Sequence, residues 1–493
     1  MYTFKDATKE DVDNVMQKAW SAFESYRSFS IKQRAAFMHA IANELTSHAS
    51  ALIPIAMAET HLSESRLQSE LTRTVFQLNS YADACEQGNW LDVRIDKVIS
   101  DRQRPRPDLR KMLIPLGPVI VFGSSNFPFA YSTAGGDTAC ALAAGCPVIV
   151  KAHPAHAQTS EEAASCILKA AKICRMPEGI FTHVHGVSFE VGKELVLHPL
   201  TKAVGFTGSL SGGKALFDLA TQRKDPIPVF AEMGSINPVY LLPEKLSESA
   251  LDQAKTYAAS INLSVGQFCT NPGLIIGIDG PDLQTFIKNL GEEIKKVSPS
   301  PMLHAGIAKS FIANRSKALA QNDVHTVAVS DTRPGENESY PTIASATAQA
   351  FMNNPVLHQE VFGPYSLVIK CRDVAEMKSV AEKMEGQLTS TLIATENDIQ
   401  QNLSLVDKIK DRCGRIILNG VPTGVEVCLS MQHGGPYPAT TDSRFTSVGA
   451  DGIKRFARPV CYQNWPDNLL PDELKDGNPL KIWRTVNNQL TRD

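Results

Sequence analysis

Apolar positions in the first part of the chain recur at spacings of three and four. Asp11, Val12, Val15 and Met16 open the pattern, and Ile31-Lys-Gln-Arg-Ala-Ala-Phe-Met-His-Ala-Ile-Ala resumes it, which predicts helices across 8–92. The texture breaks between Val98 and Leu113, where Arg102, Arg104, Arg106 and Arg110 interleave with Pro105 and Pro107. Two readings stay open for that stretch, a phosphate-binding patch or a solvated linker or edge hairpin, and the absence of a basic surplus elsewhere favours the second. From Gly117 short, continuous apolar runs take over. They predict buried strands at 118–123, 146–151, 180–185, 203–207 and 227–232, with helices at 132–144, 160–174 and from Ser211. Strand–helix alternation of this kind implies right-handed crossovers, a mostly parallel sheet and an α/β fold. The second half repeats the texture more faintly, with strands near 274–278, 391–394 and 415–418.

Length then adds that one core is not enough. A chain of 493 residues exceeds the roughly 250–300 residues that a single core supports, so two or more domains are expected. The net charge of −3 excludes a broad basic field for nucleic acid or an anionic membrane. No apolar run reaches the ~18 residues of a membrane span, and the N-terminus lacks a signal-peptide core, so a cytoplasmic protein is expected. Ten cysteines without a CxxC pair point to neither a disulfide scaffold nor a structural zinc, and no metal is expected.

Candidate chemistry gathers where the predicted strands end, which is where open α/β sheets bind ligands. Gly208-Ser209-Leu-Ser-Gly-Gly213-Lys214-Ala215 nearly spells a nucleotide-triphosphate loop in the right strand-to-helix context. Ala215 has no hydroxyl for Mg²⁺, and no strand ends in the Asp that would hold the metal, so an ATP-binding protein is disfavoured. A helix N-terminus able to bind an anion such as a dinucleotide pyrophosphate remains, alongside a purely structural turn.

Cys269 lies in the loop-like Gly266-Gln-Phe-Cys269-Thr-Asn-Pro, Glu232 ends an apolar strand, and Asn126 follows another strand in Gly123-Ser-Ser-Asn126-Phe-Pro. Singly they read as a buried hydrophobe, a cap and a turn residue. Together they supply a thiolate nucleophile with a lowered pKa, a base for water and a donor for an oxyanion.

With these segments the chain resembles the NAD(P)-dependent aldehyde dehydrogenase superfamily over roughly 10–470. Asn126-Phe-Pro resembles the oxyanion-amide motif and Pro147-Val-Ile-Val-Lys151 the strand whose lysine binds the adenosine ribose. Phe206-Thr-Gly208-Ser209 through Gly213 resembles the cofactor-phosphate turn, and Glu232-Met-Gly-Ser the general-base motif, with Ser235 in place of a second glycine. Gly266-Gln-Phe-Cys269 resembles the nucleophile motif, and Glu360-Val-Phe362-Gly-Pro the segment that holds the nicotinamide ribose and ring. The closer resemblance is to α-ketoglutarate semialdehyde (2,5-dioxopentanoate) dehydrogenases, with fatty-aldehyde dehydrogenases of luminous bacteria as neighbours. Phe127-Pro-Phe129-Ala-Tyr-Ser-Thr-Ala-Gly-Gly-Asp137, Lys151-Ala-His-Pro-Ala-His156 and Met431-Gln-His433-Gly-Gly-Pro-Tyr-Pro-Ala-Thr-Thr-Asp-Ser-Arg444 carry it.

The resemblance implies an aldehyde dehydrogenase-like α/β fold: a Rossmann-type cofactor domain at 1–96 and 117–233, and a catalytic domain at 234–440. A bridging, oligomerisation element would use 97–116 and 450–493, in a homodimer or homotetramer. It implies a thiohemiacetal and then a thioester on Cys269, with hydride passing to nicotinamide, Asn126 and a backbone N–H on the oxyanion, and Glu232, aided by His433, activating water. Pro154 stands where NAD-preferring relatives carry a glutamate, so NADP is expected with NAD tolerated, and His153 or His156 is a candidate for its phosphate. Phe189, in place of an arginine, argues the other way. For the aldehyde, Phe127, Phe129 and Phe268 are expected to line an apolar tunnel and Arg444 to meet a distal carboxylate. A long-chain aldehyde fits the same tunnel. A CoA-acylating variant would not need Glu232, and a silent member would normally lack the cysteine or the glutamate.

Overall fold

A computed structural model describes residues 4–493. Capping boxes at Thr8 and Ser30 start the helices Lys9–Tyr26 and Ile31–Ser47, and Ser63 caps the long helix Glu64–Gln87. Each box satisfies backbone N–H groups that the first helical turn leaves without partners.

A five-stranded parallel sheet follows. Its spatial order is Phe181–Val184, Val148–Lys151, Val119–Phe122, Ala203–Thr207, Val229–Glu232. The chain therefore starts at the centre, builds one edge, then crosses back to build the other, leaving a switch point between Val119–Phe122 and Ala203–Thr207. Helices cover both faces. Ile31–Ser47, Glu64–Gln87, Gly136–Ala144 and Ala157–Ile173 pack on one, and Lys9–Tyr26, Phe189–Leu197 and Leu210–Thr221 on the other. Valine and isoleucine fill the strands because both of their faces are buried.

The expected helix at 132–144 begins only at Gly136. Residues 130–135 make a tight turn instead, in which a Cβ on Gly135 would lie 2.6 Å from the Ala130 carbonyl oxygen. The Arg/Pro stretch closes a hairpin that lies inside a sheet rather than at its edge: Ile99 bridges Arg106, and Leu109–Pro115 becomes a strand. That strand joins a small sheet ordered Ala457–Gln463, Leu109–Pro115, Arg94–Asp96, Arg484–Val486, Gln489–Thr491.

The second large sheet has seven strands, ordered His325–Val329, Thr342–Thr347, Tyr365–Cys371, Leu274–Ile278, Val239–Leu241, Gln387–Ile393, Cys413–Leu418. All neighbours are parallel except the edge pair of His325–Val329 with Thr342–Thr347. Sequence pattern finds only three of these strands. Thr342–Thr347 (Thr-Ile-Ala-Ser-Ala-Thr) is buried along almost its whole length, so it shows no alternation to read.

One return segment joins the two halves. Met233 donates its N–H to the Ala439 carbonyl (2.8 Å) and Thr441 its N–H to the Ala231 carbonyl (3.1 Å), beside a bridge between Glu232 and Thr440. This seats 431–447 across the C-terminal end of Val229–Glu232. No described helix is long and apolar enough to cross a membrane.

Candidate active site

Glu232 is the last residue of its strand and is 3% exposed. The return segment carries His433 onto it: Nε2 lies 3.0 Å from Glu232 Oε1. Ser447 donates its hydroxyl to the other carboxylate oxygen, Oε2, at 2.5 Å, and its backbone N–H to the His433 carbonyl at 2.8 Å. His433 is held from behind as well, its backbone N–H donating to Thr446 Oγ1 at 2.9 Å.

Cys269 arrives from the other half of the molecule. It follows a one-turn 3-10 segment in which Ser264 and Val265 take φ of +47° and +59°. Gly266 continues at +64°, and a Cβ there would lie 2.3 Å from the Gly363 carbonyl carbon, so only glycine fits. The Asn237 amide clamps the turn by donating to the carbonyls of Cys269 (2.8 Å) and Asn271 (2.9 Å). The result sets Cys269 Sγ 3.6 Å from His433 Nε2. A single imidazole nitrogen thus faces both the sulfur and the carboxylate. Asn126 donates from Nδ2 to the Gln267 carbonyl at 3.1 Å, which keeps its amide beside the same turn.

Electrostatics assign a resting state. Burial and then the Glu232 charge push the Cys269 thiol well above its ordinary range. The direction is opposite to the lowered thiol pKa expected from the sequence. Burial also works against ionised Glu232, but His433 and the Ser447 hydroxyl outweigh it and hold the carboxyl below its usual value. Both directions favour a neutral thiol beside an ionised acid, with the His433 ring in reach of each.

The cofactor candidates line the neighbouring strand ends. Lys151 ends its strand, and burial lowers its pKa against the opposing pull of Asp6. Gly208 donates its N–H to the Glu232 carbonyl at 3.0 Å, and Ser209 caps the helix Leu210–Thr221 by accepting from Gly212 N–H at 3.2 Å. A Cβ on Gly213 would lie 2.6 Å from Met233, so this glycine lets the helix approach the sheet. Lys214 pairs with Asp218 on its own helix at 2.6 Å. Phe189, 95% exposed, and Leu210 begin the helices that follow two of these strands and present apolar surface there. Glu360 and Phe362 border a small cavity with Gly266 and Phe268. Burial pushes Glu360 up to about 8 despite a hydrogen bond from the Ser235 backbone. A buried carboxyl with so little compensation suits ribose hydroxyls, so the residues fit a dinucleotide.

Four expected ligand contacts are corrected. His153 is largely buried, takes the Ala155 N–H on Nδ1 (3.1 Å) and stacks on His156 (5.4 Å between rings), and burial holds its pKa well below the usual range. His156 is fully buried and bonds the Ser124 carbonyl. Neither offers a cation to a phosphate; Pro154, which begins a 3-10 turn, is exposed. Phe129 packs in the core of the first sheet's helices rather than in a tunnel. Arg444 is 80% exposed in its side chain and paired with Asp442.

Phe127 and Phe268 do meet, 5.4 Å apart and edge to face, and Phe127 continues to Tyr131 at 5.1 Å. The cations that serve this aromatic row come from residues the sequence reading passed over. Arg66 lies over Phe127 (4.5 Å) and Phe268 (5.6 Å) and donates to Glu70 at 2.7 Å. Arg73 lies over Tyr131 at 5.4 Å. Arg415, from the other sheet, acts electrostatically on Cys269, and its buried Nε has no hydrogen-bond partner among the described residues. Arg66, Glu70, Arg73 and Gln77 interrupt the inward face of Glu64–Gln87 at helical spacing, a signal that periodicity alone can reveal. Nothing in the sequence marks Ser447.

The chain matches the Aldehyde dehydrogenase family over residues 1–447. It is 46% identical over 482 residues to alpha-ketoglutaric semialdehyde dehydrogenase 2 of Azospirillum brasilense, covering 98% of this chain and 92% of that one. It is 45% identical to the alpha-ketoglutaric semialdehyde dehydrogenase of Acinetobacter baylyi, covering 100% of this chain and 94% of that one. Among solved structures, the succinic semialdehyde dehydrogenase of Streptococcus pyogenes in complex with NADP⁺ superposes with a TM-score of 0.78 at 18% identity, over 94% of this chain and 96% of that one. A 1-pyrroline-5-carboxylate dehydrogenase gives 0.77 at 19% identity, over 93% and 86%. At such identities the likeness is one of fold.

Proposed function

The chain belongs to the aldehyde dehydrogenase family, and we propose that it oxidises α-ketoglutaric semialdehyde to α-ketoglutarate, using NADP with NAD tolerated. That it is an NAD(P)-dependent aldehyde oxidoreductase follows from the family and from the named relatives. The observation that carries the reading is the meeting of Cys269 Sγ, His433 Nε2 and Glu232 beside an aromatic row overlain by arginines.

His433 takes the thiol proton as sulfur adds to the aldehyde carbon, and Glu232 stabilises the imidazolium that forms. The Asn126 amide, turning from the Gln267 carbonyl, and the Cys269 backbone N–H stabilise the oxyanion. A nicotinamide cofactor would supply the hydride acceptor; Lys151 and Glu360 would hold its riboses, and the N-terminus of Leu210–Thr221 its phosphates. Once His433 has passed its proton to solvent, Glu232 draws a proton from the water that attacks the thioester carbon; the carbon–sulfur bond breaks, and the sulfur takes up that proton to restore the thiol.

The substrate reading is supported by charge. Arg66 and Arg73 lie over the aromatic row and Arg415 acts on Cys269, three arginines against the carboxylates of Glu70 and Glu232, a surplus that favours an anionic aldehyde. For NADP, Pro154 places no carboxylate three residues after Lys151, where one would repel a 2′-phosphate. The small sheet with its open Ala457–Gln463 edge is the proposed oligomerisation element.

Initial rates with the semialdehyde and with pentanal test the substrate. The parent enzyme favours the semialdehyde. Arg66→Leu lowers kcat/KM for it by about 10- to 100-fold, the worth of a charge-assisted hydrogen bond, and leaves pentanal within a factor of two or so. A parent enzyme that prefers longer aliphatic aldehydes contradicts the reading.

A further inference from the structure

A second cluster of ligating side chains lies away from Cys269, at the outer edge of the first sheet. His183 sits in the edge strand Phe181–Val184, and His185 follows it directly. Alternate residues of an extended segment share a face, so His-Val-His aims both imidazoles the same way. Glu161, in the first turns of the helix Ala157–Ile173, points back at them. Its Oε2 lies 3.0 Å from His183 Nδ1 and 2.9 Å from His185 Nε2, and all three donor atoms fall within 4.8 Å of one another.

We propose that Glu161, His183 and His185 form a binding site for one divalent cation of the zinc class. Two imidazoles and a carboxylate are a donor set that zinc accepts at about 2.0–2.2 Å per bond. Tetrahedral bonds of that length separate the donors by about 3.3 Å, so the two carboxylate–imidazole distances open by only a few tenths of an ångström. The surroundings match what metal-bound histidine requires. Ser160 Oγ bonds the far nitrogen of His183, Nε2, at 2.9 Å and is itself tied to Thr133, which fixes the ring's orientation. Phe4 stacks on His185 at 3.7 Å and steadies the second ring. The histidine side chains are 5% and 14% exposed, whereas Glu161 is 49% exposed, leaving an entry path and a position for water.

The site is one strand from the proposed adenosine end of the cofactor cleft, since Lys151 pairs in register with Val184. A bound cation would clamp the edge strand to its helix there without touching Cys269.

The test uses tag-free Cys269→Ala protein, because Glu232, Cys269 and His433 also converge and the substitution removes their sulfur. Titration with Co²⁺, followed by visible absorption, and with Zn²⁺, followed by calorimetry, gives one equivalent bound. Glu161→Gln and His185→Gln each weaken binding at least tenfold while their melting temperatures without metal match the parent's. No saturable binding at millimolar metal overturns the proposal. So does binding that both variants retain, or binding lost only with His433→Gln, which would place the metal at the catalytic cluster.

Discussion

Burial decides the charge of Glu360. Its carboxyl, ordinarily near 4.5, is pushed up to about 8 in the fold. An acid that holds its proton more tightly folded than unfolded loses stability as the pH rises between those two values. Glu360→Gln keeps the shape without the charge. Its stability relative to the parent should be level below about 4.5 and rise from there to about 8, as denaturant midpoints across that interval would record. A difference that stays flat would mean that Glu360 is ionised and compensated. The same contrast separates what the sequence discloses about single residues from what it withholds. Cys269, Glu232 and Asn126 sit in short strings whose chemistry can be read in place. Arg66 and Ser447 matter only through folding, which brings them from about two hundred residues away to Phe268 and Glu232. Arg444 shows the converse: closeness to His433 along the chain does not carry it to the site, because Asp442 holds it at the surface.

Asp398 shows how few groups position a whole element. Its carboxylate accepts from the N–H groups of Glu244 and Lys245, at the start of Pro243–Asn262, and from Thr395, which caps Glu396–Gln401. Two helix N-termini share one anion. Asp398→Ala should lower stability by about 2 kcal/mol, since each lost cap is worth about 1 kcal/mol; thermal unfolding measures it, and an unchanged melting temperature would show the caps to be redundant. Elements of the first sheet were legible because Val119–Phe122 and Val148–Lys151 are compact apolar runs between glycines and helices. In the second sheet, Thr342–Thr347 and Val239–Leu241 are buried but built from small or few residues, so neither length nor period distinguishes them. The Gly136 start of a helix expected from Ser132 reflects a turn whose demand for glycine is steric and local.

The three sheets divide the labour: one presents Lys151, Gly208 and Glu232, one carries Arg415, and the turn of Cys269 runs into its strand Leu274–Ile278. The third, at its edge, exposes the backbone of Ala457–Gln463, with Trp465 (49%) and Leu469 (62%) exposed close by in the chain. An open strand edge with apolar neighbours is a pairing surface. Light scattering at micromolar concentration should give a dimer or tetramer, and a monomer would leave that edge without a role. The α/β alternation made the first large sheet foreseeable and three strands of the second; the resemblance brought His433 near Cys269, but the path of 431–447 across Glu232 leaves no periodic trace in the sequence.

The most direct measurement is turnover of the Cys269→Ala protein with α-ketoglutaric semialdehyde, paired with calorimetric titration of NADP and NAD. Loss of NAD(P)H formation to background, with cofactor affinity kept within a few-fold of the parent, is the expected result, because Sγ forms the bond to the aldehyde and the dinucleotide sits on other residues. Substantial remaining turnover would contradict the assignment of Cys269 as nucleophile and, with it, the roles given to His433 and Glu232.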